Sequence, residues 1–174
     1  GTEGTGWYNT VASLLKYVGQ GGGAWASAHA MNTARGGAGA GGAVTAAICA
    51  GGGGPAPTAD EINTESYNGT AWTEIGDLTT ARSYLSGAGT STASLAVGGE
   101  VSGAPFSALV ENFNGTAWTE VGNLGQTATN TGGCSITNTS TMKIGGYSGP
   151  PGIYYDLTEV WADPVIGAKT ITTS

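Results

Sequence analysis

Three apolar runs of similar shape each stop at a Gly-Gly pair: AVTAAICAGG at 43–52, TASLAVGG at 92–99 and STMKIGG at 140–146. Alternation assigns Ile48/Ala50, Leu95/Val97 and Met142/Ile144 to one face of an extended strand, and Cys49, Ala96 and Lys143 to the other. An acidic-x-aromatic element follows each run: Glu65-Ser66-Tyr67, Glu111-Asn112-Phe113 and Glu159-Val160-Trp161. A third strand is predicted to open at Trp72 and Trp118, and a fourth to run through the Gly-Ala-Gly segments at 37–42 and 85–89. Between the second and third strands stand Asn68-Gly69 and Asn114-Gly115, which predict hairpins because both residue types tolerate positive φ.

The pattern is a repeat. TESYNGTAWTEIGDL at 64–78 returns as VENFNGTAWTEVGNL at 110–124, with ten of fifteen positions identical. Aligning the Gly-Gly pairs, the acidic-x-aromatic elements and the tryptophans Trp25, Trp72 and Trp118 gives a period of 46–48 residues. Such self-similarity signals one supersecondary unit stacked several times. The units fall roughly at 1–51, 52–98, 99–145 and a partial 146–161, with 162–174 as a C-terminal tail.

Composition supports a β-protein of small residues and tight turns. Of 174 residues 33 are glycine, without a Gly-X-Y period, yet five Trp and seven Tyr argue against disorder. Two cysteines, Cys49 and Cys134, are too few for a disulfide framework, and two small buried thiols are expected. The formal charge of −7 disfavours nucleic acid and anionic membrane surfaces, and no apolar run is long enough to span a bilayer. Gly1 in place of an initiator Met fits a chain whose upstream portion has been removed. Low charge with abundant Gly, Ser and Thr suits a secreted, extracellular or particle-borne protein.

The Gly-Gly stop, the acidic-x-Tyr element and the strand-opening Trp, with Arg35 and Arg82 ten positions after Trp25 and Trp72, together resemble the kelch motif. NGTAWTE followed by L-x-T-A-R is similar to the degenerate kelch-like arrays of bacteriophage virion and tail-fibre-like proteins. The resemblance implies four-stranded blades in an all-β, propeller-type fold. The third copy departs from it, with Ala128 at the Arg position. About three repeats are too few for a closed ring of four to eight blades. Three solutions stay open: missing upstream blades, completion by oligomerisation, or a pseudo-threefold fold such as a β-prism or β-trefoil. Unpaired blade edges are a hazard that favours the first two, so self-association or incorporation among other virion proteins is expected.

No catalytic constellation emerges. The single His29 has no second His and no Cys-x-x-Cys near it, and no Gly-x-Ser-x-Gly element accompanies it, so a turn or surface role is expected. The glycine runs contain no GxxxxGK[ST] and open no helix, which rules against a phosphate loop. Glu65, Glu111 and Glu159 could serve glycoside hydrolysis, but residues recurring in every unit serve the unit. They are expected to accept hydrogen bonds from backbone or from Arg35 and Arg82, and Trp25, Trp72, Trp118, Tyr67, Phe113 and Trp161 to pack the blades. Asn68-Gly-Thr and Asn114-Gly-Thr match the N-glycosylation pattern, although the turn alone explains their repetition. No cofactor and no metal is called for.

What varies between copies is the connection after each Gly-Gly. These connections carry Trp7 and Tyr8, Phe106, and Tyr147, Tyr154 and Tyr155. Aromatic rings beside Asn, Asp and Ser are candidate sugar platforms, offering apolar area with a polar edge; packing of the loops or a subunit contact is the competing role. The expectation is a non-enzymatic structural or adhesive virion protein presenting these loops to a host-surface glycan. A decorating or filament-forming subunit is the alternative, and a glycan-processing enzyme the weakest one.

Overall fold

Strand pairing follows the alternation closely. In the computed structural model, which describes residues 7–9, 14–16, 25–54, 60–102, 106–149 and 152–163, fifteen strands form and no helix is present among the described residues. The first sheet runs in the order β3 (Gly39–Ala43), β4 (Ala46–Ala50), β5 (Thr64–Tyr67) and β6 (Trp72–Ile75). The second repeats it with β7 (Ser86–Thr90), β8 (Ala93–Val97), β9 (Val110–Phe113) and β10 (Trp118–Glu120). The third has β11 (Gly132–Thr137), β12 (Ser140–Ile144) and β15 (Thr158–Ala162), without a fourth strand among the described residues. Two small hairpins complete the inventory: β1 (Trp7–Asn9) with β2 (Leu14–Lys16), and β13 (Tyr147–Ser148) with β14 (Ile153–Tyr154). Every pairing is antiparallel. The fold is all-β, an incomplete propeller-like array with no closed barrel among the described residues. Each sheet starts at its Gly-rich strand, so sheets and Gly-Gly-delimited sequence units share a period but not a phase.

Glycine sets how the sheets approach. β3, β7 and β11 lie side by side, and a Cβ on Gly87 would run into the backbone of Ala40 on β3. The Gly-rich strands are therefore inner strands that meet backbone to backbone, which no larger residue permits at Gly87. At the outer end of β8, Gly98 and Gly99 take φ values of +62° and +101°, turning the chain where an L side chain would be strained.

Side chains fill the space between sheets in a directional order. Ile48 and Ala50 of the first sheet pack on Ala96, Phe113 and Trp118 of the second, with Leu78 and Leu85 closing the cluster. Leu95, Val97 and Val110 of the second sheet then meet Trp161 of the third, with Val121 and Leu124. The same two strand positions thus point back in each copy and receive the front of the next sheet.

Several expectations are corrected. The Asn-Gly segments do form the expected hairpins, joining β5 to β6 and β9 to β10, but not as two-residue turns: only the glycine takes positive φ, +95° at Gly69 and +96° at Gly115. The turn is a four-residue loop instead, because the Asn68 Oδ1 accepts from the Thr70 and Ala71 N–H groups at 2.9 Å each, and Asn114 does likewise. Cys134 is exposed while Cys49 is buried, and both are free thiols; among the described residues no further sheet lies behind the third one to cover the strand. Trp25 does not pack a blade. It lies outside any strand and is fully exposed, whereas Trp118 is 5% exposed.

Candidate functional site

The recurring acids build a clasp between sheets. Arg82, wholly buried, donates from Nη1 to the Gly98 and Leu109 carbonyls at 2.7 and 2.8 Å, and from Nη2 to Glu111 Oε1 at 2.9 Å. Glu111 Oε2 accepts from the N–H and hydroxyl of Thr79 at 2.7 and 2.8 Å. One unit earlier Arg35 reaches the Gly51 and Asn63 carbonyls and Glu65, whose Oε2 accepts from the Asn32 N–H at 2.8 Å. Burial pushes the Glu65 carboxyl up, but the Asn32 and Thr33 N–H donors and Arg35 outweigh it and hold it below the ordinary value. Burial lowers Arg82 against the pull of Glu111. In the third unit Glu159 accepts from the Gly125 N–H at 2.6 Å, and Lys143, reaching out of β12, stands 3.6 Å from it in place of the missing arginine. These carboxylates join neighbouring segments of the fold, as the tryptophans do: Trp118 Nε1 donates to Thr64 Oγ1 and Trp161 Nε1 to the Asn138 carbonyl, both at 3.1 Å. Tyr67 stacks on Trp72 and Phe113 on Trp118, with ring centroids 5.1 and 5.0 Å apart.

The variable connections meet on one face. Gly53, Glu100 and Tyr147, each just beyond a Gly-Gly pair, form bridges with Gly36, Ser83 and Thr129. Asp60 of the first connection accepts from Ser83 at 2.6 Å and from Ser102 of the second at 3.2 Å. Phe106 of the second connection meets Tyr147 of the third edge-on, centroids 5.7 Å apart, and Tyr147 meets Tyr154 at 5.2 Å. The β13–β14 hairpin sets that last pair directly across from one another. Gly152 makes room for it, since its missing Cβ would lie 3.2 Å from the Tyr147 ring.

The result is an aromatic chain beside an open concavity of about 380 Å³, lined by Asn130, Gly146, Tyr147, Tyr154 and Tyr155. Tyr154 is 83% exposed. Of the six aromatic candidates the structure brings together Phe106, Tyr147, Tyr154 and Tyr155. Trp7 and Tyr8 lie on β1, and their side chains fall outside the described residues, as do the 55–59, 103–105 and 150–151 stretches of the connections. Sequence reasoning missed Asn130 and its backbone neighbour Tyr84, which accepts from the Asn130 N–H at 3.0 Å. Both stand at positive φ, +52° and +51°, at the repeat position of Gly37. A tyrosine there is strained, and the only available signal was its alignment with that glycine.

Phenol hydroxyls, the Asn130 amide and exposed ring faces can stack on and hydrogen-bond a sugar or peptide. Among the described residues, no three His, Cys, Asp or Glu side chains converge as a metal site. Glu100, bridged to Ser83, has its carboxyl raised by burial and by nearby Asp60. A second concavity, about 600 Å³ and wide open, runs over the inner strands β3, β7 and β11 between Gly41, Gly89 and Ile136. No family model matches the chain, and no curated protein is significantly similar to it in sequence.

Proposed function

We propose that the chain is a non-enzymatic structural and adhesive component of a virion, a kelch-like β-repeat that holds its variable connections toward a host-surface glycan. The observation that carries this reading is the aromatic chain Phe106–Tyr147–Tyr154, assembled from two separate connections and left exposed beside a concavity with polar edges. Sheets stacked at fixed period are a rigid base for such loops, and binding groups commonly sit on loops held by a rigid scaffold. The repeat's sequence resemblance to phage virion arrays supplies the setting. The test is a glycan array probed with the wild-type chain and with Tyr154→Ala. Binding by the wild type, weakened at least tenfold in the variant, is expected; a wild type that binds no glycan defeats the reading.

A second reading draws on the same surface. Ile153 and Tyr154 are 52% and 83% exposed, and an apolar pair so placed also suits a contact between subunits of a decorated particle. In that case Tyr154→Ala alters incorporation into particles and leaves glycan binding unmoved.

A further inference from the structure

Both ends of the array present half of a junction that the chain forms twice within itself. At the downstream end, Met142 and Ile144 are 38% and 45% exposed, whereas their equivalents Ile48, Ala50, Leu95 and Val97 are all at most 5% exposed under the next sheet. Val160 beside them is 66% exposed. Among the described residues nothing pairs with the outer edge of β15, although its equivalents β5 and β9 carry β6 and β10 there.

The upstream end presents the complement. The segment from Trp25 is the repeat equivalent of β6 and β10, and its far end is already docked as theirs are. Asn32, Thr33 and Arg35 bind Glu65 of the first sheet, and the His29 carbonyl accepts from Trp72 Nε1 at 3.2 Å. Yet residues 25–28 form no strand and are exposed throughout. Behind them, Tyr67 and Trp72 are only half-buried where Phe113 and Trp118 are buried.

The geometry points to a second copy of this chain as the occupant: its third sheet docks on the first sheet of its partner, and Trp25–Ala28 of that partner adds to its β15 as the absent fourth strand. The internal pairs Tyr67↔Trp72, Glu65↔Glu74, Phe113↔Trp118 and Glu111↔Glu120 fix the register, which becomes Trp161↔Trp25 and Glu159↔Ser27. Ala26 then faces Val160. The addition caps an open strand edge and follows the ordinary chemistry of strand augmentation. The contact is head-to-tail, so it closes if the rotation allows. The inference is independent of what the loops bind.

The test uses the full chain with Cys134→Ser to silence the exposed thiol. One preparation carries Ala26→Cys, another Val160→Cys, and they are mixed under mild oxidation. A disulfide between the two preparations, together with twice the single-chain mass by light scattering at tens of micromolar, is expected. Val160→Arg, at a position exposed in the isolated chain, should weaken association at least tenfold with an unchanged far-ultraviolet spectrum. A single-chain mass without mixed disulfide overturns the proposal and assigns the open faces to another segment or partner. Association that survives Val160→Arg without the disulfide overturns it too, by placing the contact elsewhere.

Discussion

The two internal junctions differ although the repeat makes them equivalent. Between the first and second sheets, Ile48, Ala50, Ala96 and Trp118 leave no room for a water molecule. There Arg82 satisfies two carbonyls and a carboxylate with its terminal nitrogens. Between the second and third sheets a cavity of about 70 Å³ remains, lined by Leu95, Val110, Thr141 and Lys143. Lys143 Nζ finds no hydrogen-bond partner there, and neither does Glu159 Oε1. A repeat therefore conserves where the sheets meet more strictly than what chemistry joins them. Ala128 gives up the arginine, and Lys143 supplies positive charge from the sheet itself as a point charge without the guanidinium's fork.

The largest effect should come from breaking the better clasp. Arg82→Ala strands a buried Glu111 and is expected to cost about 3–5 kcal/mol in urea unfolding, the range for an orphaned buried charge. Lys143→Met at the equivalent junction removes an amine that donates to nothing and leaves a carboxylate with some solvent access. Its cost should stay within about 1 kcal/mol. Next comes packing. Ala96→Val adds volume where there is no room and should destabilise by about 1–3 kcal/mol. Val110→Ile adds a methylene beside the cavity and should stabilise by about 0.5–1 kcal/mol.

The smallest effects are in pH dependence, and the clasp and the loop face should show opposite signs. Glu65 is lowered on folding, so its contribution is complete above the ordinary carboxyl value of 4.5 and is lost as pH falls through the folded value. Glu100 is raised by burial and by Asp60, so stability is lost as pH climbs from 4.5 through its folded value. Glu65→Gln should flatten the acid limb of a melting-temperature profile. Glu100→Gln should melt higher than the wild type at neutral pH and lose that advantage below 4.5.

Much of this was legible in the chain. The period-2 runs, the Gly-Gly stops and the Trp-opened strands each appear as local patterns, and local patterns are what strand pairing reads. Arg82 and Glu111 could be paired in advance because both recur at fixed offsets. Lys143 could not: it sits on a strand face where the other copies have Cys49 and Ala96, and its role exists only once Ala128 leaves a charge uncompensated across 31 residues of chain. The aromatic cluster was legible as a set of residues but not as an arrangement. Phe106 meets Tyr147 only because successive sheets bring two connections side by side. Trp25 was misjudged because its packing depends on a strand neighbour that the described chain does not supply.

A pair of double-mutant cycles tests the central claim most directly. Arg82→Ala/Glu111→Ala and Lys143→Ala/Glu159→Ala are compared by equilibrium unfolding, each cycle isolating one coupling. The account predicts a coupling of about 2–3 kcal/mol at the first junction and under about 0.5 kcal/mol at the second. Equal couplings, or the larger one at Lys143–Glu159, would contradict it.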